Sequence, residues 1–304
     1  MRYLLVGLGN IGAKRRSVLG NRCVATVDPF NPAADHRAPD ECPLDRYDAA
    51  LLAVPNAAKV ELLRYFLGRG KHVLVEKPLI LDAHTAGELR DLAGRTGAIW
   101  YTSYNFRFEP NVVALKRHFQ GGDIGRLYLV RMFYGNGTAA NIAGTWRDSE
   151  LGVLEDMASH LIDLAGFVFG KFGCEFRVWE RHAHELKSAD HCILATADRS
   201  VVIECSFLSW KNRWQIEAVG EHGALEMDGL TKWGSSELTL RRRRWPSGPP
   251  EELREVALGP DPTWAADIGY FEELTATGQT SCENDLWLSR TILRAATAPL
   301  EGQP

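Results

Sequence analysis

The sequence predicts an α/β domain built on a parallel sheet, followed by an α+β domain whose large, mostly antiparallel sheet lies open on one face. Three observations carry this. The first third alternates short apolar runs with stretches of helical spacing, the pattern of βαβ units. A glycine-rich turn, Gly7-Leu8-Gly9-Asn10-Ile11-Gly12, follows the first run and opens the first helical stretch. Beyond about residue 122 the runs alternate apolar and polar side chains, as strands with one covered face do. A chain of 304 residues has length for two domains, and the expected division is 1–121 and 122–304.

In chain order, strands are expected at Tyr3 to Val6, Cys23 to Val27, Ala49 to Val54, His72 to Val75 and Ile99 to Ser103. They are nearly continuous apolar runs because a parallel sheet is covered on both faces. Helical spacing lies between them, at Ala58 to Leu67 and Ala83 to Arg95. A further helix, Val112 to Phe119, ends at the Gly121-Gly122 break. The second domain then offers strands at Leu127 to Tyr134, Glu175 to Glu180, His191 to Thr196, Val201 to Phe207, Trp214 to Val219 and Glu237 to Arg243. One long helix, Leu154 to Phe169, interrupts them, and Asn284 to Ala298 closes the chain.

Thirty-five Lys and Arg against 39 Asp and Glu leave a formal charge of -4, too balanced for a protein that grips nucleic acid phosphates, so a small-molecule partner is expected. The run Arg241 to Arg244 precedes Trp245-Pro246 and reads as a solvated hairpin flank. Six scattered cysteines form no CxxC pattern, which argues against zinc and disulfides and for a cytoplasmic home. His182 and His184 share a strand face without an evident third ligand, so no metal is expected. No apolar run reaches membrane-spanning length.

The glycine turn carries chemistry because of its position. After a strand, Gly7 permits the tight turn, Gly9 lets a pyrophosphate approach the backbone, and Gly12 allows close packing of a helix whose N-terminus faces the anion. Asp28, at the end of the second strand, stands where an acidic side chain accepts hydrogen bonds from a ribose and repels a ribose phosphate, favouring NAD, with NADP as the alternative. Arg15 and Arg16 are candidate phosphate partners. Lys77, within Val75-Glu76-Lys77-Pro78, ends the fourth strand, where ligands of open α/β sheets bind. Its ammonium there can hydrogen-bond a substrate oxygen. Asp156 and His160, four residues apart, share one face of a helix that carries no Lys or Arg, which suits a carboxylate that tunes an acid/base imidazole.

Together these residues resemble the Gfo/Idh/MocA family of NAD(P)-dependent oxidoreductases. The resemblance covers nearly the whole chain and rests on the glycine turn, on Gly70 to Pro78 with its Glu-Lys-Pro, on Tyr104-Asn105-Phe106-Arg107-Phe108, on Trp146-Arg147, and on Asp156 with His160. It implies a Rossmann domain followed by an α+β domain for substrate binding and oligomer contacts, giving a homodimer or homotetramer through the open sheet. By resemblance, Lys77, His160 and Asp156 are catalytic; Gly7, Gly9, Asn10, Ile11, Gly12, Asp28, Pro55, Asn56, Glu76, Lys77 and Asn105 bind the cofactor; and Arg107, Trp146, Arg147, Asp156 and His160 bind substrate. The expected activity is hydride transfer between nicotinamide and a hydroxyl or carbonyl of a sugar, cyclitol or nucleotide sugar. An NAD-dependent glycoside-cleaving enzyme and a non-catalytic NAD- or sugar-responsive regulator are the alternatives. The chain departs from the family in two places. Only Asn31 to Tyr47, rich in Pro and Asp, fills the gap where relatives carry a helix and a further strand, and Lys59 stands where they often have a His.

Overall fold

The computed structural model describes residues 1–145, 147–148 and 151–299, which form two compact units. The first comprises Met1–Asn105 and Thr263–Ser289; the second comprises the described residues of 106–262 and of 290–299.

The first unit holds a five-stranded, all-parallel sheet made of β1 (Tyr3–Val6), β2 (Cys23–Val27), β3 (Ala49–Leu52), β4 (His72–Glu76) and β5 (Trp100–Ser103), ordered β2-β1-β3-β4-β5. Both faces are buried, with the period-two split that strands impose. Leu4, Val6, Ala50, Leu52, Val73 and Val75 pack with Leu63, Phe66 and Leu89 of the helices Asn56–Leu67 and Ala83–Thr96. Tyr3, Leu5, Leu51 and Leu74 pack on the other side with Ile268 and Phe271. Those last two belong to a helix, Thr263–Thr277, that the sequence reading did not contain. Burying each such side chain contributes about 1.5–3 kcal/mol, so this late segment completes the first sheet's second layer. The sequence divides the chain once, after residue 121, whereas compactness returns Thr263–Ser289 to the first unit for this packing reason.

The chain leaves β1 toward β2 on one side and reaches β3 on the other, so the strand order reverses between β1 and β3. Ligands of open α/β sheets bind at the carboxyl ends beside such a reversal. Beyond β2 the sheet stops. Residues 31–47 form only two short 3-10 turns, Pro39–Glu41 and Leu44–Arg46, and a single bridge between Val27 and His36. Pro32, Pro39 and Pro43 deny this stretch the donors and dihedrals of a strand or long helix.

The second unit holds an eight-stranded sheet: β6 (Leu127–Gly135), β7 (Phe176–His182), β8 (His191–Thr196), β9 (Val201–Ser206), β10 (Arg213–Gly220), β11 (Gly223–Asp228), β12 (Ser236–Arg242) and β13 (Glu251–Ala257). Its order is β13-β12-β11-β10-β6-β9-β8-β7, antiparallel throughout except where β6 meets β9. Val130, Met132, Trp214, Ile216, Ala218, Leu225 and Met227 are buried, while Arg131, Glu217 and Glu226 alternate with them. The sequence reading lacked β11, which is short and begins on Gly223, and β13, whose Glu-Glu-Leu-Arg-Glu-Val-Ala is an exposed, charged edge of the kind that discourages further pairing. The Arg run begins within β12 and continues toward this last hairpin: Arg241 pairs with Glu226 and Glu252, and Arg242 with Asp123 and Glu251. Among the described residues no helix is long and apolar enough to cross a membrane, and no group of metal-ligating side chains is arranged to hold a metal ion.

Candidate active site

The glycine turn sits at the strand-order reversal. Gly7 has φ +93°, and a Cβ there would stand 2.4 Å from the Ala53 carbonyl oxygen. A Cβ on Gly12 would stand 1.9 Å from the Gly7 carbonyl oxygen, a backbone atom that cannot move aside. Nothing lies within 4 Å of a Cβ built on Gly9, so the turn is closed against the protein at two glycines and open at the middle one. The helix Asn10–Leu19 starts there without a side-chain cap, leaving first-turn N–H groups for an anion. Gly12→Ala is expected to abolish NAD binding and lower the melting temperature, which isothermal titration and a thermal melt would check. An unchanged affinity would mean that this packing does not shape the loop.

Asp28 supports the same turn. Its carboxylate accepts from the backbone N–H of Leu8 at 2.8 Å and from those of Phe30 and Asn31 at 2.9 Å. Burial raises its pKa, but these hydrogen bonds and the charge of Arg37 outweigh it, and the group is held below the usual carboxylate range. Two oxygens offer about four lone-pair sites, so acceptor capacity remains for a ribose hydroxyl. The glycine loop and Asp28 therefore fit a dinucleotide. Arg16 is exposed, but Arg15 corrects the sequence expectation of a phosphate partner. Its guanidinium is wholly buried and pairs with Glu76 at 2.7 Å and Asp267 at 2.8 Å, because its stem points inward from the helix toward the sheet.

The end of β4 is organised by these buried charges. Glu76 is the partner of Arg15, and Asp267 also accepts from Ser103 Oγ at 2.7 Å and Tyr101 Oη at 3.0 Å. Lys77 follows, half-buried, with a cis peptide bond to Pro78. The Pro78 carbonyl accepts a 2.7 Å hydrogen bond from the ammonium of Lys59, which is 2 % exposed. Lys59 had no role in the sequence reading. Its only signal there was its place four residues after Pro55, in the helix that Asn56 begins. Asn105 donates from Nδ2 to Thr263 Oγ1 at 2.8 Å.

In the second unit, the expected single helix begins as a π-helical turn, Leu154–Ala158, and continues as Ser159–Phe169. Gly152 leads into it with φ +47°, where a Cβ would meet the Ala189 carbonyl oxygen at 2.3 Å. Such turns are frequent at functional sites. Asp156 lies in the turn and forms an ion pair with Arg147. His160 is buried and stacks on Phe106, with ring centroids 4.1 Å apart and planes 15° apart. Arg107 forks both oxygens of Asp163, one turn further on. Trp146 lies outside the described residues.

Around His160 the structure gathers aromatic rings that the sequence does not reveal as a group, because they come from separate elements. Phe106 also meets Trp214 edge-on at 5.2 Å and Tyr134 at 6.0 Å, and Tyr134 meets Trp233 at 5.9 Å. The ammonium of Lys232 lies 4.1 Å from the Phe106 centroid, 4.4 Å from Trp233 and 5.5 Å from Tyr134.

Comparison with known proteins agrees with this geometry. Residues 1–104 match a family model described as an oxidoreductase family with an NAD-binding Rossmann fold, and residues 112–226 match the GFO/IDH/MocA C-terminal domain. An inositol 2-dehydrogenase of Rhizobium meliloti (strain 1021) is 29% identical over 186 residues, which span 56% of this chain and 56% of that protein. The chain thus matches little more than half the length of that relative. Among solved structures, an NAD binding oxidoreductase from Klebsiella pneumoniae superposes with a TM-score of 0.79 at 19% identity, covering 96% of this chain and 95% of that one. An inositol dehydrogenase homolog from Azotobacter vinelandii, complexed with NADH and myo-inositol, superposes with a TM-score of 0.75 at 17% identity, covering 97% and 95%. With the glycine turn, the strand-end Lys77 and both domain matches in place, this chain belongs to the Gfo/Idh/MocA family of NAD(P)-binding oxidoreductases.

Proposed function

We propose that the protein is an NAD-preferring dehydrogenase or reductase acting on a hydroxyl or carbonyl of a sugar or cyclitol. The observation that carries this reading is a buried imidazole, His160, held flat against Phe106 four residues after Asp156, which pairs with Arg147. A fixed imidazole whose ordinary pKa lies near neutrality suits proton exchange with an alcohol. NAD, when bound, supplies the nicotinamide that accepts or returns hydride. The amides of Gly9, Asn10 and Ile11 hold its pyrophosphate, with Gly7 and Gly12 shaping the loop, Asp28 takes the ribose, and Pro55 and Asn56 flank it at the end of β3. In the oxidative direction His160 is assigned the hydroxyl proton, and the family resemblance assigns Lys77 the hydrogen bond that favours alkoxide character on the reacting oxygen. Asp156, through Arg147, sets the charge around the imidazole, and the family resemblance makes Trp146 a candidate substrate residue.

Three of the expected ligand residues receive positioning roles in this reading, since their polar groups already serve the protein: Glu76 on Arg15, Asn105 on Thr263 and Arg107 on Asp163. The open face of the eight-stranded sheet is assigned to a homodimer or homotetramer contact, and the protein to the cytoplasm.

The test is a panel of sugars and cyclitols incubated with protein and NAD or NADP, read as NADH or NADPH absorbance. Turnover with a subset, faster with NAD, is the expected outcome. Absence of hydride exchange with every compound, together with no NAD-induced thermal shift, overturns the reading.

A further inference from the structure

We propose that the β12–β13 hairpin and the adjoining end of the eight-stranded sheet form a binding site for a soluble organic phosphate, a phosphate group carried on a small ring. None of its residues belongs to the candidate active site, and the proposal is independent of the dehydrogenase reading. It begins from the arginine run. Two of the four guanidiniums are taken up by carboxylates, Arg241 by Glu226 and Glu252 and Arg242 by Asp123 and Glu251. Arg243 and Arg244, both exposed, have no carboxylate partner among the described residues. Adjacent like charges repel each other, and a bound anion would offset that repulsion.

These two arginines wall a cavity of about 530 Å³, within the range of roughly 300–1,000 Å³ that small-molecule clefts span. Arg241 also lines it, whereas no Asp or Glu among the described residues does. Its floor comes from the sheet. Val219 of β10 pairs with Ala224 of β11, and Ala224 with Arg241 of β12, which sets small apolar side chains beside the charges. A Cβ on Gly223 would stand 2.1 Å from the Arg241 carbonyl oxygen, so no side chain can fill the floor at that point.

Both guanidiniums are held before a ligand arrives. That of Arg243 lies on Trp245, 3.7 Å from the ring centroid, and the Arg243 backbone N–H donates to the His222 carbonyl at 2.8 Å. Stacking occupies the face of a guanidinium and leaves the N–H donors in its plane for an anion. The stem of Arg244 runs over Gly248, where a Cβ would lie 3.8 Å from Arg244 Cβ and 3.9 Å from its Cδ. Pro246, Pro249 and Pro250 stiffen the loop. Guanidinium forks match phosphate oxygens two at a time, and prior ordering reduces the freedom lost on binding. Tyr128 lines the same cavity and is 45 % exposed, with the guanidinium of Arg126 5.5 Å from its ring centroid. The arginines thus call for phosphate, and the tyrosine face for a ring attached to it.

Isothermal titration of the full chain with phenyl phosphate, inorganic phosphate and phenol tests this, at fixed ionic strength and with NAD saturating the glycine turn. Saturable binding of phenyl phosphate, tighter than that of inorganic phosphate and absent for phenol, is the expected result. Arg243→Gln with Arg244→Gln is expected to weaken it about 10- to 100-fold, the range for lost charge-assisted hydrogen bonds. Tyr128→Ala is expected to weaken phenyl phosphate more than inorganic phosphate. Arg95→Gln with Arg199→Gln removes the same charge from exposed positions elsewhere and should leave the affinity unchanged. Equal weakening by the two double variants would reduce the effect to net charge and overturn the site. Equal affinity in wild type and the Arg243→Gln, Arg244→Gln variant, or no binding of either phosphate, overturns it as well. Sedimentation with phosphatidylglycerol vesicles in the absence of phenyl phosphate binding would replace the small ligand by a lipid headgroup. Hydride transfer plays no part in these readouts, so the dehydrogenase reading and this site fail separately.

Discussion

Lys77→Met is expected to lower kcat by about 10²–10³-fold while leaving NAD affinity nearly unchanged, the scale seen when one donor to a developing oxyanion is removed. Methionine keeps the length and apolar stem of lysine and removes the charge and all three donors. The position makes the loss specific. Lys77 follows β4 directly, and its turn is held from behind by the Lys59 ammonium on the Pro78 carbonyl at 2.7 Å. The glycine turn and Asp28 lie on other strands and keep their own hydrogen bonds, so cofactor affinity reports them independently. Steady-state kinetics with the best sugar, alongside titration of NAD, checks both halves. Full turnover in Lys77→Met would remove this residue from the reaction; parallel loss of NAD affinity would make it a cofactor ligand instead.

Arg15→Met is expected to destabilise the first unit by about 3–5 kcal/mol, the usual result of removing one partner from a buried ion pair. The guanidinium is fully buried between Glu76 and Asp267, so the variant leaves two carboxylates in a poorly solvated interior. Burial already pushes the Asp267 carboxyl above its ordinary value, against the pull of Arg15 and the Ser103 hydrogen bond. Without the arginine that value rises further. A folded-state pKa raised above the unfolded one favours folding at low pH and ceases to do so as pH climbs through it. The deficit of Arg15→Met relative to wild type should therefore be largest near neutrality and shrink toward pH values at which Asp267 holds its proton. Urea unfolding across a pH series measures this. A deficit that grew on acidification would contradict the placement of Arg15. The same network joins the first helix to the end of β4, so the variant should also lose NAD affinity.

The sequence by itself determined the parallel sheet and the identity of its loop. Continuous apolar runs such as Leu4-Leu5-Val6 and Val73-Leu74-Val75 are unambiguous because a strand buried on both faces has no polar side to confuse the period. The glycine turn was equally legible: Gly7 and Gly12 lie against backbone oxygens that forbid any side chain, so the local letters carry the three-dimensional constraint. Asp156 and His160 were legible as a local spacing on one helix. The trimmed edge beyond β2 was readable from the prolines between Asn31 and Tyr47.

Tertiary structure alone decided what depends on residues far apart in the chain. Thr263–Thr277 reads weakly as a helix, with Gly269 and several threonines in it, and gains its place from burying Ile268 and Phe271 against β1, β3 and β4. Arg15 looks like a phosphate ligand because it follows the glycine turn, but Asp267 arrives from that late helix to claim it. Lys59 acquires meaning only when the Pro78 carbonyl stands over it, and the rings of Phe106, Tyr134 and Trp233 form a cluster only when three elements converge. Periodicity and backbone sterics are local properties that a sequence displays directly. Charge pairing and ring packing are fixed by which distant segments the buried sheets bring together.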